Sequence, residues 1–393
     1  MNLKNPFRTV FTRAIWLIAP ALTTSLLLSS CGENKTTTEQ TATSTQDSTA
    51  TAATDTSAAS TGSKPVKPAG AAPAWAPNMA PEMQTVIEKL ASLSGPTPPE
   101  KLTPAQVRKA PSATDATMAV MKDFGIPTPA SPLDTMSKEV APGVKARIYT
   151  PRGAQGPLPV VVYYHGGGWV IANLDTYDPS VRALAEKTNA IFVSVAYRQA
   201  PEHKFPTAHN DSFAAYQWVL KNAASIKGDP KRVAVAGESA GGNLAAAVCM
   251  MARDKGIMQP VHQVLVYPIA GYDLNTPSYQ KNAQAKPLSK PFMAWFFQHY
   301  LRTPADGKNP LIDLVHAPNL KGLAPATVIG AGIDPLMSEG KTYADKLQAA
   351  GVSVNYKLYD NVTHEFFGMG AVVPQAREAE DLAASDLKSA LNK

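Results

Sequence analysis

The chain has little from which to build a disulfide framework, a metal site or a nucleic-acid surface. Only two of its 393 residues are cysteine, Cys31 and Cys249, and neither stands in a metal-ligand spacing. Cys249 lies in the apolar run 244–251, where it reads as a buried structural thiol. Charge is sparse, at 17% of residues, with a formal net charge of +6. Three of the 37 basic residues, Lys4, Arg8 and Arg13, sit in an N-terminal leader, which leaves 34 basic against 31 acidic. No Lys/Arg cluster and no aromatic–basic interleaving stands out, which argues against a nucleic-acid partner. A long apolar run is missing as well: Ala14–Leu28 is broken by Pro20 and threonines and is too short for a membrane span. There is no internal repeat. With 44% hydrophobic residues, however, a sizeable core is within reach.

Residues 1–30 have the form of a secretion signal, a positive start followed by an apolar stretch. It ends in Leu28-Ser29-Ser30-Cys31, which resembles the lipobox of bacterial lipoproteins. That resemblance implies removal of the leader before Cys31 and attachment of lipid to Cys31, hence a membrane partner through the anchor. Gly32, where an Asp would favour the inner membrane, points to the outer membrane of a Gram-negative cell envelope, with the globular part outside the cytoplasm. Residues 31–77 are dominated by Thr, Ser and Ala and later Pro; with few large apolar side chains to offset ordering entropy, they are expected to form a disordered tether.

From about residue 78 to 393 the pattern is that of a single α/β domain. Strand candidates are Val144–Tyr149, Val160–Tyr164, Ile191–Ala196, Val233–Ala236, Gln263–Tyr267, Ala326–Gly330 and Val354–Leu358. Several are continuous Val/Ile runs, as expected of strands covered on both faces of a mostly parallel sheet. Helical patterns alternate with them over 179–188, 207–224, 240–255, 338–350 and 375–391, which predicts a doubly wound sheet. The proline-broken helical stretches 81–94 and 104–124, and the aromatic helix 291–301, fit the alternation poorly. The segments 78–140 and 272–310 are therefore expected to form a helical cap.

The sequence running from Val233 to Gly242 reads as strand, then Gly237-Glu238-Ser239-Ala240-Gly241, then helix. A bare Gly-x-Ser-x-Gly occurs by chance in roughly one chain in ten of this length. Its place between a buried strand and a helix makes it a nucleophile elbow, in which the glycines allow the sharp turn and Ser239 stands clear of the sheet. Upstream, His165-Gly166-Gly167-Gly168-Trp169 follows a core strand directly. Three successive glycines cost conformational entropy, and they suit a loop whose N–H groups approach a developing oxyanion together with that of Ala240. His165 is expected to orient this loop.

A serine hydroxyl needs a base, and the base needs an acid to hold its tautomer. Of the histidines after Ser239 (His262, His299, His316 and His364), only His364 follows the last strand, at the end where the site is expected. For the acid, Asp334 ends the strand Ala326–Gly330 and precedes a helix, ahead of the rivals Asp313, Glu339 and Asp360.

Taken together these residues resemble the hormone-sensitive lipase family of bacterial esterases. The resemblance rests on Tyr163-Tyr-His-Gly-Gly-Gly-Trp-Val, on Ser194-Val-Ala-Tyr-Arg198-Gln-Ala-Pro-Glu202-His-Lys-Phe-Pro206, on the elbow, and on Asp334-Pro-Leu and His364-Glu-Phe. It implies an α/β-hydrolase fold with a helical cap and hydrolysis of small carboxylic esters, of short to medium acyl length, without metal or organic cofactor. It also implies an oxyanion hole from Gly167, Gly168 and Ala240, and structural roles for Tyr197, Arg198, Glu202 and Asp211. Gln199 stands where that family more often has Leu. Two other readings are an amidase or peptidase using the same triad, and a surface lipoprotein that binds a ligand on an inactive hydrolase scaffold. Trp169, Phe292, Trp295 and Phe296 suit either an acyl pocket or plain core packing.

Overall fold

The computed structural model describes residues 64–128 and 130–393; the leader, Cys31 and most of the expected tether lie outside the described residues. Among the described residues one sheet holds strands β1 (Leu133–Ala141), β2 (Val144–Pro151), β3 (Leu158–Tyr164), β4 (Ile191–Ala196), β5 (Gly228–Glu238), β6 (Gln263–Val266), β7 (Ala326–Ile333) and β8 (Val354–Thr363). Their spatial order is β1-β2-β4-β3-β5-β6-β7-β8. β2 pairs antiparallel with β1 and with β4, and every other pairing is parallel. The helices are α1 (Pro81–Leu93), α2 (Pro104–Val107), α3 (Ala113–Phe124), α4 (Asp178–Thr188), α5 (Thr207–Asn222), α6 (Ala240–Asp254), α7 (Pro277–Lys281), α8 (Lys290–Tyr300), α9 (Met337–Ala349) and α10 (Pro374–Leu391).

The period of two along each strand sorts its side chains into two cores, one on each face of the sheet. In β3, Val160, Val162 and Tyr164 enter the core shared with α5, α6 and α9, whereas Val161 and Tyr163 enter the core shared with α4 and α10. β5 does the same with Val233 and Val235 against Ala234 and Ala236. Because both faces are covered, β3 is buried throughout, which is why it reads as an unbroken apolar run. Leu244 and Val248 of α6 are fully buried, each contributing about 2 kcal/mol of burial and fixing the helix that follows Ser239.

Two expectations for the N-terminal segment need correction. The region 78–140 is not cap throughout, since Leu133–Ala141 forms β1 at the sheet edge, paired with β2 through contacts such as Met136 opposite Ile148. Residues 134–139 are all exposed, so this edge strand carries no apolar alternation to announce it. The helical pattern 104–124 is also two helices. Pro111 interrupts it, and Ser112 with Asp115 forms a capping box that starts α3 afresh.

Topology places the site. From β3 the chain goes to β4 on one side and then returns to β5 on the other, so the connections leaving β3 and β5 part in opposite directions. A crevice opens at the carboxyl ends of two such strands. The glycine loop leaves β3 there, and Ser239 leaves β5.

Candidate active site

Ser239 links β5 to α6 with φ 56° and ψ −118°, a conformation that side chains rarely adopt. Neighbouring backbone holds it there. Its N–H donates to the Val266 carbonyl at 2.9 Å, and its own carbonyl accepts from the Asn243 and Ile269 N–H groups, both at 3.1 Å. The elbow glycines are required by close approach: a methyl at Gly237 would overlap the Gly241 carbonyl, and one at Gly241 would overlap the Tyr164 carbonyl. Sequence spacing and local sterics thus give one account of the motif.

His364 directly follows β8 and Asp334 directly follows β7. Parallel pairing of these strands brings both side chains to the edge where Ser239 emerges. His364 Nδ1 lies 2.7 Å from Asp334 Oδ2, and Nε2 lies 2.9 Å from Ser239 Oγ. All three residues are buried. Asp334 Oδ1 accepts the Leu336 N–H at 2.8 Å, which orients the carboxylate. With Nδ1–H donating to that carboxylate, Nε2 is left as acceptor for the serine hydroxyl. Burial pulls the His364 pKa down, but the charge of Asp334 and its hydrogen bond outweigh it, and the net shift is upward.

The rival residues lie elsewhere. His262 Nε2 meets Thr327 Oγ1 at 2.8 Å near the starts of β6 and β7, His299 meets the Trp295 carbonyl at 2.8 Å, and His316 pairs with Asp313 at 2.9 Å. Glu339 accepts the Ala270 and Gly271 N–H groups at 2.8 and 3.1 Å, and Asp360 lies within β8.

In the glycine loop, Gly167 and Gly168 adopt φ 92° and 57° and line the cavity beside Ser239. A side chain at Gly168 would overlap the Phe296 ring of α8, so the cap packs directly on the loop. Gly166, expected beside them, is not part of the cavity lining; a methyl there would overlap the Tyr177 hydroxyl. Its carbonyl accepts from Tyr197 Oη at 3.1 Å. His165 stacks on the Tyr197 ring with centroids 4.3 Å apart, and burial lowers its pKa to about 4, so it is neutral. Ala240 opens α6, where the first-turn N–H groups have no intrahelical acceptor.

Around this centre several side chains act as struts. Arg198 donates to both carboxylate oxygens of Asp211, at 2.9 and 2.6 Å. Gln199 Nε2 donates to the Ala172 carbonyl at 3.1 Å, which ties down the chain after the glycine loop. Trp169 stacks on Tyr300 at 4.5 Å, outside the cavity lining, and Trp295 donates to the Leu102 carbonyl at 3.1 Å. Of the four aromatics, Phe292 and Phe296 are the ones that face the cavity.

Three features carry roles that the sequence did not assign. Arg108, at the end of α2, donates to the carbonyls of Val170 and Ala200 at 2.8 and 2.7 Å and to both Glu202 oxygens at 2.8 Å, clamping the N-terminal cap onto the chain beyond the glycine loop. Glu238 is buried behind Ser239 and accepts from the hydroxyls of Tyr163 and Tyr267; burial and the nearby Glu365 push its pKa up to about 8. Glu365, next to the histidine, accepts from Tyr177 Oη at 2.7 Å. The cavity is about 840 Å³, with Gly167, Gly168, Ser239, His364 and Glu365 on one side and Leu90, Val107, Leu288, Phe292 and Phe296 on the other.

A doubly wound sheet with a serine elbow at its topological switch defines an α/β hydrolase. Residues 161–368 match the family model described as the alpha/beta hydrolase fold, and the chain belongs to that family. It is similar to the carboxylesterase NlhH of Mycobacterium tuberculosis, 43% identical over 252 residues, which span 63% of this chain and 79% of that one. Among solved structures it is similar to an ester hydrolase from the metagenome of Lake Arreo (34% identity, TM-score 0.71, 80% of this chain and 100% of that one). A hyperthermophilic esterase from Pyrobaculum calidifontis is equally near (35% identity, TM-score 0.71, 79% and 98%).

Proposed function

We propose that this chain is a serine carboxylic ester hydrolase acting on small esters through Ser239, His364 and Asp334. The hydrogen-bonded line from Asp334 Oδ2 through His364 to Ser239 Oγ, facing a cavity beneath a cap, carries this reading. Ser239 Oγ attacks the ester carbonyl as His364 Nε2 takes its proton, and Asp334 stabilises the imidazolium. The carbonyl oxygen becomes an oxyanion against the N–H groups of Gly167, Gly168 and Ala240, where one donor contributes about 3 kcal/mol to lowering the barrier. The Nε2 proton passes to the leaving alcohol, and water repeats the cycle on the acyl-enzyme. A cavity of about 840 Å³ has room for an ester of short or medium acyl length. A fluorophosphonate probe is expected to label Ser239; intact protein mass after treatment, with no adduct, would refute the assignment.

The upward shift of His364 has a consequence for pH. The base must be neutral, so kcat/KM for a neutral ester rises with pH through an apparent pKa above the ordinary histidine value of 6.5. A rate profile that is already flat at pH 6 contradicts it.

The lipobox-like Leu28-Ser29-Ser30-Cys31 supports a lipid anchor at Cys31 that holds the enzyme at the cell envelope, with residues 31–77 as spacer. Cys31→Ala should move the protein from the membrane fraction to the soluble one on cell fractionation. Equal membrane association of both forms removes the anchor.

A further inference from the structure

We propose that Glu365, braced by Tyr177, selects the alcohol half of the ester: it accepts a hydrogen bond from a hydroxyl about two carbons from the ester oxygen, so that esters of polyol-type alcohols are preferred over matched alkyl esters. This rests on Ser239 being the nucleophile.

The first observation is backbone conformation. Glu365 has φ 68°, the left-handed region that favours glycine and costs another residue on the order of 1 kcal/mol. Residues held in such conformations cluster at functional sites. The second is position. The Glu365 side chain lines the same cavity as Ser239, and its Oε1 lies 3.9 Å from His364 Nε2, the nitrogen 2.9 Å from Ser239 Oγ.

That nitrogen decides which half of the substrate is involved. Nε2 returns its proton to the leaving oxygen, so a carboxyl beside Nε2 stands beside the departing alcohol. The third observation is the carboxyl's own partners. Oε1 is held by Tyr177 Oη at 2.7 Å, and the Tyr177 hydroxyl lies where a methyl on Gly166 would stand. Oε2 has no hydrogen-bond partner among the described residues, so it is left to accept one from a ligand.

The charged lining of the cavity is balanced, Arg108, Lys109 and Lys286 against Asp115, Asp175 and Glu365 itself, so no net negative field draws in a cationic alcohol. Burial disfavours charge on Glu365 itself, and a neutral carboxyl still accepts from a hydroxyl. A site built to hydrogen-bond a substrate hydroxyl rejects the analogue without it, because its polar group is then left unpaired.

The test measures kcat/KM for 2-hydroxyethyl acetate and for propyl acetate on the same preparations of the full chain, with Glu365→Gly and Glu365→Gln beside the unaltered enzyme. The ratio of the two substrates does not depend on the folded fraction, so a variant that folds poorly still reports. The unaltered enzyme is expected to favour the hydroxyethyl ester about tenfold, Glu365→Gly to bring the ratio near one, and Glu365→Gln, which keeps an acceptor oxygen, to retain part of it. If Glu365 merely holds Tyr177 in place, both substrates fall together and the ratio is unchanged, which overturns the proposal. A larger Glu365-dependent preference for 2-(trimethylammonio)ethyl acetate also overturns it, in favour of a cation site. Propyl acetate hydrolysis that disappears in Ser239→Ala keeps the hydrolase assignment even when the ratio is flat, whereas hydrolysis of neither ester sinks both.

Discussion

Ser239→Ala is expected to lower kcat for a nitrophenyl ester by a factor on the order of 10⁶, with the fold retained. Other hydroxyls face the cavity, among them Ser112 and Thr114, so the size of the loss depends on whether any can substitute. Neither is placed to do so. The Ser112 hydroxyl is engaged at 2.7 Å by Asp115 in the α3 cap, and the Thr114 hydroxyl donates to the Thr176 carbonyl at 2.6 Å. Among the described residues, Ser239 Oγ alone meets an imidazole whose far nitrogen is held by a carboxylate. The variant keeps the glycine amides and the cavity, and therefore keeps a residual acceleration of roughly 10³ to 10⁴ over water. Its stability should change little, because the elbow is held by backbone bonds to Val266, Asn243 and Ile269 that alanine preserves. Single-turnover assays with circular dichroism check both parts. A loss below about a hundredfold would mean that the nucleophile is another group.

What could be read in advance was whatever local sequence and chain order determine. Buried parallel strands such as β3 carry their own signature because both faces demand apolar side chains, and Gly237 and Gly241 are legible because backbone oxygens stand where their side chains would be. The chain order Ser239, Asp334, His364 follows from strand order, since each residue ends a strand in the same half of the sheet. β1 was illegible for the opposite reason: solvent on both sides imposes no pattern. The struts were hidden by distance. Arg108 meets Glu202 across 94 positions, and Tyr177 meets Glu365 across 188, with nothing in either neighbourhood to pair them. Gly166 shows a subtler limit, because a run of three glycines does not say which of them line the cavity and which makes room for Tyr177.

Asp334→Asn should cost about 10⁴ in kcat while leaving the protein folded, and the reason lies in the second oxygen of that carboxylate. Oδ1 accepts the Leu336 N–H at 2.8 Å, and an asparagine will keep its carbonyl oxygen there because an NH₂ group would face a donor. The amide nitrogen then occupies the position of Oδ2, 2.7 Å from His364 Nδ1. That forces Nδ1 to accept and moves the ring proton to Nε2, where it faces Ser239 Oγ. The base is thus present, correctly placed, and in the wrong tautomer. Since the amide can neither raise the histidine pKa nor stabilise the imidazolium, the pH–rate profile should lose the inflection above 6.5 expected of the parent. Truncation to alanine would not separate these effects, because it also frees the ring to rotate in a buried space. The informative measurement is therefore kcat of the asparagine variant across pH, with thermal unfolding in parallel. Activity within tenfold of the parent would show that the carboxylate does no more than fill space beneath His364.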